Sequence, residues 1–226
     1  MHISVRTIAV ALISLGVAAC TAMPQRGEGW QPLFDGKTLN GWRPFNHKPA
    51  GGWEVVDGTL HAIAKVKGVE LITEKKFRDF EFAWEWKVPV AGNNGVKYFV
   101  TEARTSAPGH EYQMLDDKAH PDAKHGPIRQ TASFYYVLPP AADKAYREPG
   151  AWNQSKIVVQ GKKVEHWLNG AKVVQYEIGS ADWEARRTSS KFANSTKYGR
   201  AKRGFIALQD HGDRVEFRNI RLRELP

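Results

Sequence analysis

The stretch GHEYQMLDDKAHPDAKHG, residues 109–126, is rich in side chains that can move protons or hold a cation. It contains one glutamate, one glutamine, three aspartates and three histidines. Carboxylates and imidazoles act as general acids and bases, bind metal ions, or form polar surface loops. Which of these applies depends on the element that carries each side chain and on the face to which it points.

Side-chain alternation divides this stretch between two faces. If residues 110–115 form a strand, Tyr112 and Met114 point to one face, while Glu111 and Gln113 point to the other. A glutamine is an unusual choice for a merely solvated strand, so we favour a functional interpretation of the second face. Other strands contribute further polar side chains of the same kind: Glu85, Lys97, Gln209 and His211.

The elements that position these residues are predicted to be almost entirely β. Turn signals of the Asx-Gly type recur at Asp35-Gly36, Asn40-Gly41, Asp57-Gly58, Asn94-Gly95 and Asn169-Gly170. The segment DFEFAWEWKV alternates aromatic with polar residues, and only residues 181–193 could form a short helix. The pattern indicates an all-β sandwich or jelly roll with long loops at 119–129 and 138–150.

Several candidates have a functional and a structural interpretation. An acid, amides, an amine and an imidazole with tryptophans nearby suit a polyhydroxylated ligand. Trp152 and Asn153 follow a Pro-Gly loop, where they could form a sugar platform or simply pack. His166 shares its face with Val164 and Leu168, which favours a core histidine over a ligand.

A metal site is conceivable in the loop after residue 115. Its candidate ligands match no familiar zinc or calcium spacing, and Asp122 could equally cap a turn at His120-Pro121. A divalent cation therefore stays possible without a defined ligand set. The candidate ligands are Asp116, Asp117, His120, Asp122 and His125.

The first residues have the form of an export signal. A basic start and a short apolar run precede VAAC, which resembles a bacterial lipobox with Cys20 as the lipidated residue. We expect a signal peptide at 1–19, a tether at 20–29 and a single domain at 30–226, on a periplasm-facing lipoprotein of the outer membrane. Ordinary secretion, with Cys20 in the discarded peptide, is the alternative.

The formal net charge of +9 does not require a nucleic-acid partner. Seven Lys and Arg residues and no acid lie between Arg186 and Arg203, so much of the excess is local and typical of a solvated loop. An exported lipoprotein rarely meets nucleic acid, and we therefore expect none. The expected partners are a carbohydrate and, through Cys20, a membrane.

Motifs along the whole chain resemble the family of 3-keto-disaccharide hydrolase domains (DUF1080). They are LFDGKTLNGW, GTLHA, GNNGVKYFV, HEYQMLDD with HPD, WNQSKIVVQGKKVEHWLNG and GFIALQDHGDRVEFRNIRLREL. The resemblance extends from Trp30 to Leu225, with Asn94 where serine is usual and His110 where proline is common. It implies a concanavalin A-like, laminarinase-like jelly roll, with loops over a concave face, and exported carbohydrate chemistry.

The chemistry implied by the resemblance needs a base, a positive group and an acid. A ketone at C3 of a glycoside acidifies the C2 hydrogen, so a base can form an enolate and the C1 substituent can leave. Glu111 or His211 is expected to be base or acid, and Lys97, His211 or a divalent cation to stabilise the enolate. The expected substrate-binding residues are Glu85, Gln113, Gln209, Trp152, Asn153 and His120.

Two other functions compete with this enzyme. A lectin-like lipoprotein would bind glycans on a shallow aromatic groove without catalysis, and an envelope scaffold would have no coherent polar pocket. Because the sandwich fold serves all three, fold alone does not decide among them.

Overall fold

A computed structural model of the chain describes residues 29–48, 51–66, 68–103, 109–195 and 198–226. The predicted signal peptide, Cys20 and most of the predicted tether lie outside these residues. The described strands are β1 (Gln31–Pro32), β2 (Trp42–Pro44), β3 (Trp53–Val56), β4 (Thr59–Ala62), β5 (Leu71–Thr73), β6 (Phe80–Lys87), β7 (Asn93–Val100), β8 (His110–Leu115), β9 (Asn153–Gln160), β10 (Lys163–Leu168), β11 (Ala171–Glu177), β12 (Phe205–Leu208) and β13 (Glu216–Glu224). Helix α1 covers Ala181–Thr188, and short 3-10 turns cover Phe45–His47, Pro121–His125 and Pro127–Arg129.

Within the described ranges, the strands form two antiparallel sheets that enclose one main core. The larger sheet has eight strands in the order β11-β10-β9-β6-β13-β4-β3, with β1 paired to β13. The smaller sheet has five strands in the order β2-β5-β12-β7-β8. No described helix is long and apolar enough to cross a membrane. The predicted all-β sandwich is confirmed, and the short helix predicted within 181–193 is α1.

Strict alternation along β6 explains how the larger sheet meets the smaller one. Phe80, Phe82, Trp84 and Trp86 are buried, while the residues between them are partly exposed on the outer face. The Trp84 ring meets Tyr112 of β8 edge to face, with centroids 5.0 Å apart. Burial of these large rings contributes to the hydrophobic stabilisation that holds the two sheets together.

A chain of polar side chains crosses this apolar core. His166 Nε2 lies 2.8 Å from the Tyr98 hydroxyl, which lies 2.7 Å from the Tyr176 hydroxyl. The Tyr176 hydroxyl also bonds His110 Nδ1, and the other ring nitrogen of His110 lies 3.1 Å from Gly199 O. All four side chains are buried, so these hydrogen bonds satisfy groups that would otherwise be costly to desolvate. The prediction that His166 is a core histidine is confirmed.

The turn signal at Asn94-Gly95 is wrong as a turn, because both residues lie inside β7. Asn94 is fully buried, and its Nδ2 donates to Gln209 O at 2.8 Å. A side chain on Gly95 would collide with the Gln209 carboxamide. Asn94 and Gly95 therefore pack against Gln209 and do not form a chain reversal. The signals at Asp57-Gly58 and Asn169-Gly170 do join consecutive strands, β3 to β4 and β10 to β11.

The buried histidines predict that stability falls as the solution becomes acidic. Burial lowers the pKa of His166 to about 4 and that of His110 to about 3, so the folded state binds fewer protons than the unfolded state below about pH 6.5. The free energy of unfolding should therefore decrease as the pH falls from 6.5, by up to about 1.4 kcal/mol per pH unit for each histidine.

Denaturant unfolding at pH 6.5 and pH 5 measures this dependence. His166→Phe should weaken the difference between the two pH values, whereas Val90→Ala, at an exposed site without a titrating group, should leave it unchanged. An unaltered difference in His166→Phe would contradict the assignment.

Candidate active site

The outer face of the five-stranded sheet carries a row of residues centred on Glu111. Lys97 of β7 lies directly opposite Glu111 of β8, and Ala207 of β12 lies opposite Lys97. On the other side of β8, Tyr135 N donates to Glu111 O at 3.1 Å. The bridge between Tyr112 and Phe134 sets the register of this contact. The sheet therefore places Tyr135, Glu111 and Lys97 side by side.

A second row lies one pleat further along the same face. Gln113 is paired with Gly95, and Gln209 N donates to Gly95 O at 3.0 Å. Ser133 joins the row through its carbonyl oxygen, which accepts from Gln113 N at 3.3 Å. Ser133 Oγ and Gln209 Oε1 are buried, and within the described residues neither has a hydrogen-bond partner. Such groups are rare in folded proteins, and bound water or a polar ligand can supply the missing hydrogen bonds.

Burial distinguishes this face from an ordinary solvated sheet face. Glu111 is 7% exposed, Gln113 1% and Gln209 5%. Glu111 forms no side-chain hydrogen bond or ion pair with any described residue, although a buried carboxylate normally has such partners. Its charge nevertheless influences the pKa of several neighbours, which shows how central it is: Tyr135, Lys191, Tyr198 and His211.

His211 lies at the exposed edge of this cluster. Desolvation by the surrounding protein lowers the pKa of its imidazole, Glu111 and Asp213 oppose that change, and Lys97 reinforces it. The ring is therefore mainly neutral at pH 7. A neutral imidazole at this position can accept a proton from a substrate or, through its other nitrogen, donate a hydrogen bond.

The residue before His211 anchors the segment to a neighbouring loop. Asp210 accepts hydrogen bonds from the backbone N–H groups of Gly68 and Gly212, both at 2.8 Å. A Cβ atom on Gly52 or Gly68 would collide with the Asp210 carboxylate, so both glycines allow this close approach. Desolvation raises the pKa of Asp210, and the two hydrogen bonds oppose that rise.

Lys97 lies at the site, where its ammonium group forms an ion pair with a carboxylate. Its Nζ lies 3.5 Å from Glu70 Oε1, and both side chains are partly buried. Lys97 and Glu70 both interact with the charge of His211. The structure thus brings together Glu111, Lys97, His211, Gln113 and Gln209, five of the residues selected from the sequence.

Two contributors were not selected from the sequence. Tyr135 is the lateral neighbour of Glu111, and its hydroxyl donates to Asp122 Oδ2 at 2.7 Å. Lys191 Nζ lies 4.3 Å from the centroid of the Tyr135 ring. Lys191 belongs to the basic run whose composition is typical of a solvated loop, so the sequence offers only its aromatic neighbour Phe192 as a signal.

The structure does not bring three predicted substrate-binding residues to this cluster. Glu85, Trp152 and Asn153 belong to the eight-stranded sheet or to its flanking loop. Glu85 forms an ion pair with Arg218 at 2.7 Å, and the Arg218 guanidinium lies 4.0 Å from the centroid of a Trp152 ring. Alternation places Glu85 on a polar face but does not specify which sheet carries it. This is a correction to the grouping of these residues with Glu111.

Asn153 has a structural task that accounts for its burial. Its side chain accepts from Arg147 N and donates to Arg147 O, both at 3.0 Å, and it also bonds Asn169. It therefore fixes the loop before β9 to the turn between β10 and β11.

Glu85 lines a separate groove of about 360 Å³ on the outer face of the larger sheet.

The acidic residues of the 116–125 loop hold the loop together. Asp116 accepts from Ala91 N at 2.9 Å and from two N–H groups of its own turn, and Asp117 accepts from Thr131 N at 2.8 Å. His120 Nδ1 accepts from Asp122 N at 3.1 Å, so His120 rather than Asp122 caps the 3-10 turn. Among the described residues, no three His, Cys, Asp or Glu side chains form a group that could hold a metal ion.

Comparison with known proteins assigns the chain to a family. The model of the 3-keto-alpha-glucoside-1,2-lyase-like domain matches residues 29–223. The chain belongs to this family. A relative from Bacteroides thetaiotaomicron, named 3-keto-disaccharide hydrolase, is 35% identical over 237 residues, covering 90% of this chain and 81% of the relative. The family resemblance seen in the motifs is confirmed.

Solved structures agree with both fold and class. A candidate glycosyl hydrolase from Parabacteroides distasonis is 34% identical with a TM-score of 0.81, and the match covers 88% of this chain and 95% of that one. A Bacillus subtilis protein with a galectin-like fold gives a TM-score of 0.54 at 14% identity, over 86% and 94% of the two chains, and shows the fold alone. Family membership identifies the chain as a carbohydrate-active hydrolase, which favours an enzyme over the lectin-like alternative.

Proposed function

We propose that the chain cleaves 3-keto-glycosides by removing the C2 proton and eliminating the substituent at C1. The observation that carries the proposal is Glu111, a buried carboxylate without a described hydrogen-bond partner, beside the cation of Lys97 on one sheet face. The relative named 3-keto-disaccharide hydrolase and the lyase-like family model support the same substrate class.

The first step is proton abstraction. Glu111 accepts the C2 proton as the C2–H electron pair moves into a C2–C3 double bond and the carbonyl pair moves onto the C3 oxygen. Glu111 suits this role because its carboxylate is not committed to another group within the described structure, and because nearby cations stabilise the enolate that forms. The protein environment already holds these cations in place, so little reorganisation accompanies the reaction.

The second step breaks the glycosidic bond. The enolate electrons re-form the C3 carbonyl, a C1–C2 double bond forms, and the C1 substituent leaves with a proton supplied by water or by the protonated form of His211, which is the minor form at pH 7. Addition of water to the resulting enone returns a free 3-keto sugar, so the net reaction is hydrolysis. This route needs no second carboxylate across the bond, unlike glycosidases that pass through an oxocarbenium ion.

The remaining groups of the site suit a sugar ring. Gln113, Gln209 and Ser133 lie in one row beside Glu111, and two of them have buried oxygens without described partners. Sugar hydroxyls both donate and accept hydrogen bonds, so they can satisfy these groups where an apolar ligand could not.

Turnover of a chromogenic 3-keto-glucoside beside its unoxidised parent tests the proposal. The keto form alone should be cleaved, and Glu111→Gln should lower kcat by about 100-fold or more because it removes the base. Glu85→Gln, which changes a carboxylate on the other sheet, is the matched control and should retain activity. Parallel assays with EDTA report whether a divalent cation takes part.

Two results would contradict the proposal. Equal cleavage of the unoxidised parent would show that the C3 ketone is not required. Full activity of Glu111→Gln towards the keto form would remove Glu111 from the mechanism.

We also propose that the protein is a lipoprotein of the outer membrane, anchored through Cys20. The support is the lipobox-like VAAC after a short apolar run, with Thr21 rather than an aspartate following the cysteine. In a Gram-negative host grown with labelled palmitate, the wild-type protein should carry the label and Cys20→Ser should carry none. Absence of label on the wild-type protein, or unchanged label on Cys20→Ser, would contradict a lipid anchor at this residue.

A further inference from the structure

Lys191 lies in an aromatic cage beside the Glu111 row. Its Nζ is 4.3 Å from the ring centroids of both Tyr135 and Tyr136 and 5.2 Å from that of Phe192. The faces of aromatic rings attract cations, and they also displace part of the water that would otherwise surround the ammonium group. The cage thus holds a cation that is less hydrated than a lysine on an open surface.

A buried arginine forms hydrogen bonds with the segment that carries Lys191. Arg187, 6% exposed, donates from Nη1 to the carbonyl oxygens of Phe192, Ala193 and Ser195 at 3.2–3.4 Å. Phe192 also stacks on Tyr198 with ring centroids 3.7 Å apart. These contacts fix the backbone on the C-terminal side of Lys191, and the three rings surround its ammonium group.

The cage belongs to the same site as Glu111. Tyr135 provides one wall of the cage and donates its backbone N–H to Glu111 O. Desolvation lowers the pKa of Lys191, the charges of Glu111 and Asp122 oppose this change, and those of Lys97 and Arg129 reinforce it. Lys191 therefore lies close enough to interact electrostatically with both Glu111 and Lys97.

The other basic side chains around the site either form an ion pair with a carboxylate or are uncharged at pH 7. Lys97 lies 3.5 Å from Glu70, and Arg129 forms an ion pair with Asp122 at 2.8 Å. The imidazole of His211 is mainly neutral at pH 7 because desolvation lowers its pKa. Among the described residues, Lys191 has no carboxylate within ion-pair distance. It is thus the described cation of this cluster whose charge is least compensated.

We propose that Lys191 is a catalytic residue whose ammonium group contacts the C3 oxygen and stabilises the enolate; this inference rests on the proposed function. When Glu111 removes the C2 proton, the negative charge develops on the C3 oxygen, and Lys191 neutralises it without giving up its own proton. A partly desolvated cation in a preorganised cage stabilises such a charge more strongly than a fully hydrated one. Lys97, which lies opposite Glu111 and 3.5 Å from Glu70, adds a second and more compensated positive charge.

Steady-state kinetics of Lys191→Met with the chromogenic 3-keto-glucoside tests this assignment. The change keeps an unbranched side chain of similar length in the cage but removes the charge. We expect kcat to fall by about 100-fold, the scale of losing one oxyanion-stabilising group, with a much smaller change in KM. Lys191→Arg should recover part of kcat because it restores the cation. Lys76→Met is the matched control, since Lys76 also lies over an aromatic ring, that of Phe205, at 4.8 Å.

The outcomes separate this inference from the proposed function. If wild-type protein cleaves the keto substrate but Lys191→Met keeps kcat within threefold of wild type, Lys191 is not catalytic. If KM rises and kcat is unchanged, Lys191 binds the substrate in ground and transition states alike, which also overturns the assignment. Failure of the wild-type protein to cleave the keto form would instead overturn the proposed function. Should Lys191→Met unfold below the assay temperature, Lys191→Gln provides the same kinetic comparison.

Discussion

The hydrogen-bonded chain from His166 through Tyr98 and Tyr176 to His110 is the constraint on which the site depends. It links strands of both sheets through groups that cannot be left unpaired in an apolar core without a large cost. Because His110 is fixed inside the sandwich, the next residue of β8 must point outward. The direction of Glu111 is therefore set by a core network that contains no part of the substrate site itself.

This arrangement places a carboxylate where its charge is useful for chemistry rather than for stability. An unpaired buried carboxylate destabilises a folded protein, and the packing of the two sheets must offset that cost. Lys97 and Lys191 reduce the cost by their charges, but within the described residues neither forms a direct ion pair with Glu111. The carboxylate thus keeps its lone pairs available for a proton. Gly95 has no side chain and so leaves space for the carboxamide of Gln209. That carboxamide provides a hydrogen-bonding group on the same sheet face as Glu111.

The sequence predicts the β-sandwich because alternation and turn residues are local properties of the chain. The faces of β6 and β8 follow from the same rule, so the sequence alone assigns Glu111 and Gln113 to one shared face. Alternation does not state which strands share a sheet, and for that reason the sequence does not separate Glu85 and Asn153 from a site on the opposite sheet.

Two features could not be predicted because they depend on long-range contacts. Tyr135 lies beside Glu111 because an irregular segment forms backbone hydrogen bonds with the edge of β8. No local sequence pattern indicates that this segment pairs with β8. Lys191 lies in a run of basic residues whose composition is typical of a solvated loop. Only the fold shows that Tyr135, Tyr136 and Phe192 surround it. The roles of Glu111, Lys97 and His211 stay predictions, although the structure brings the three together.

Exchange of the C2 hydrogen tests most directly whether Glu111 is the base. A 3-keto sugar without an exocyclic substituent at C1, such as 3-keto-1,5-anhydroglucitol, can form the enolate but has no aglycone to eliminate. In D₂O, wild-type protein should replace the C2 proton by deuterium, followed as loss of that proton's NMR signal above the rate without protein. Glu111→Gln should slow the exchange by about 100-fold or more. Exchange by Glu111→Gln at the wild-type rate would contradict the account.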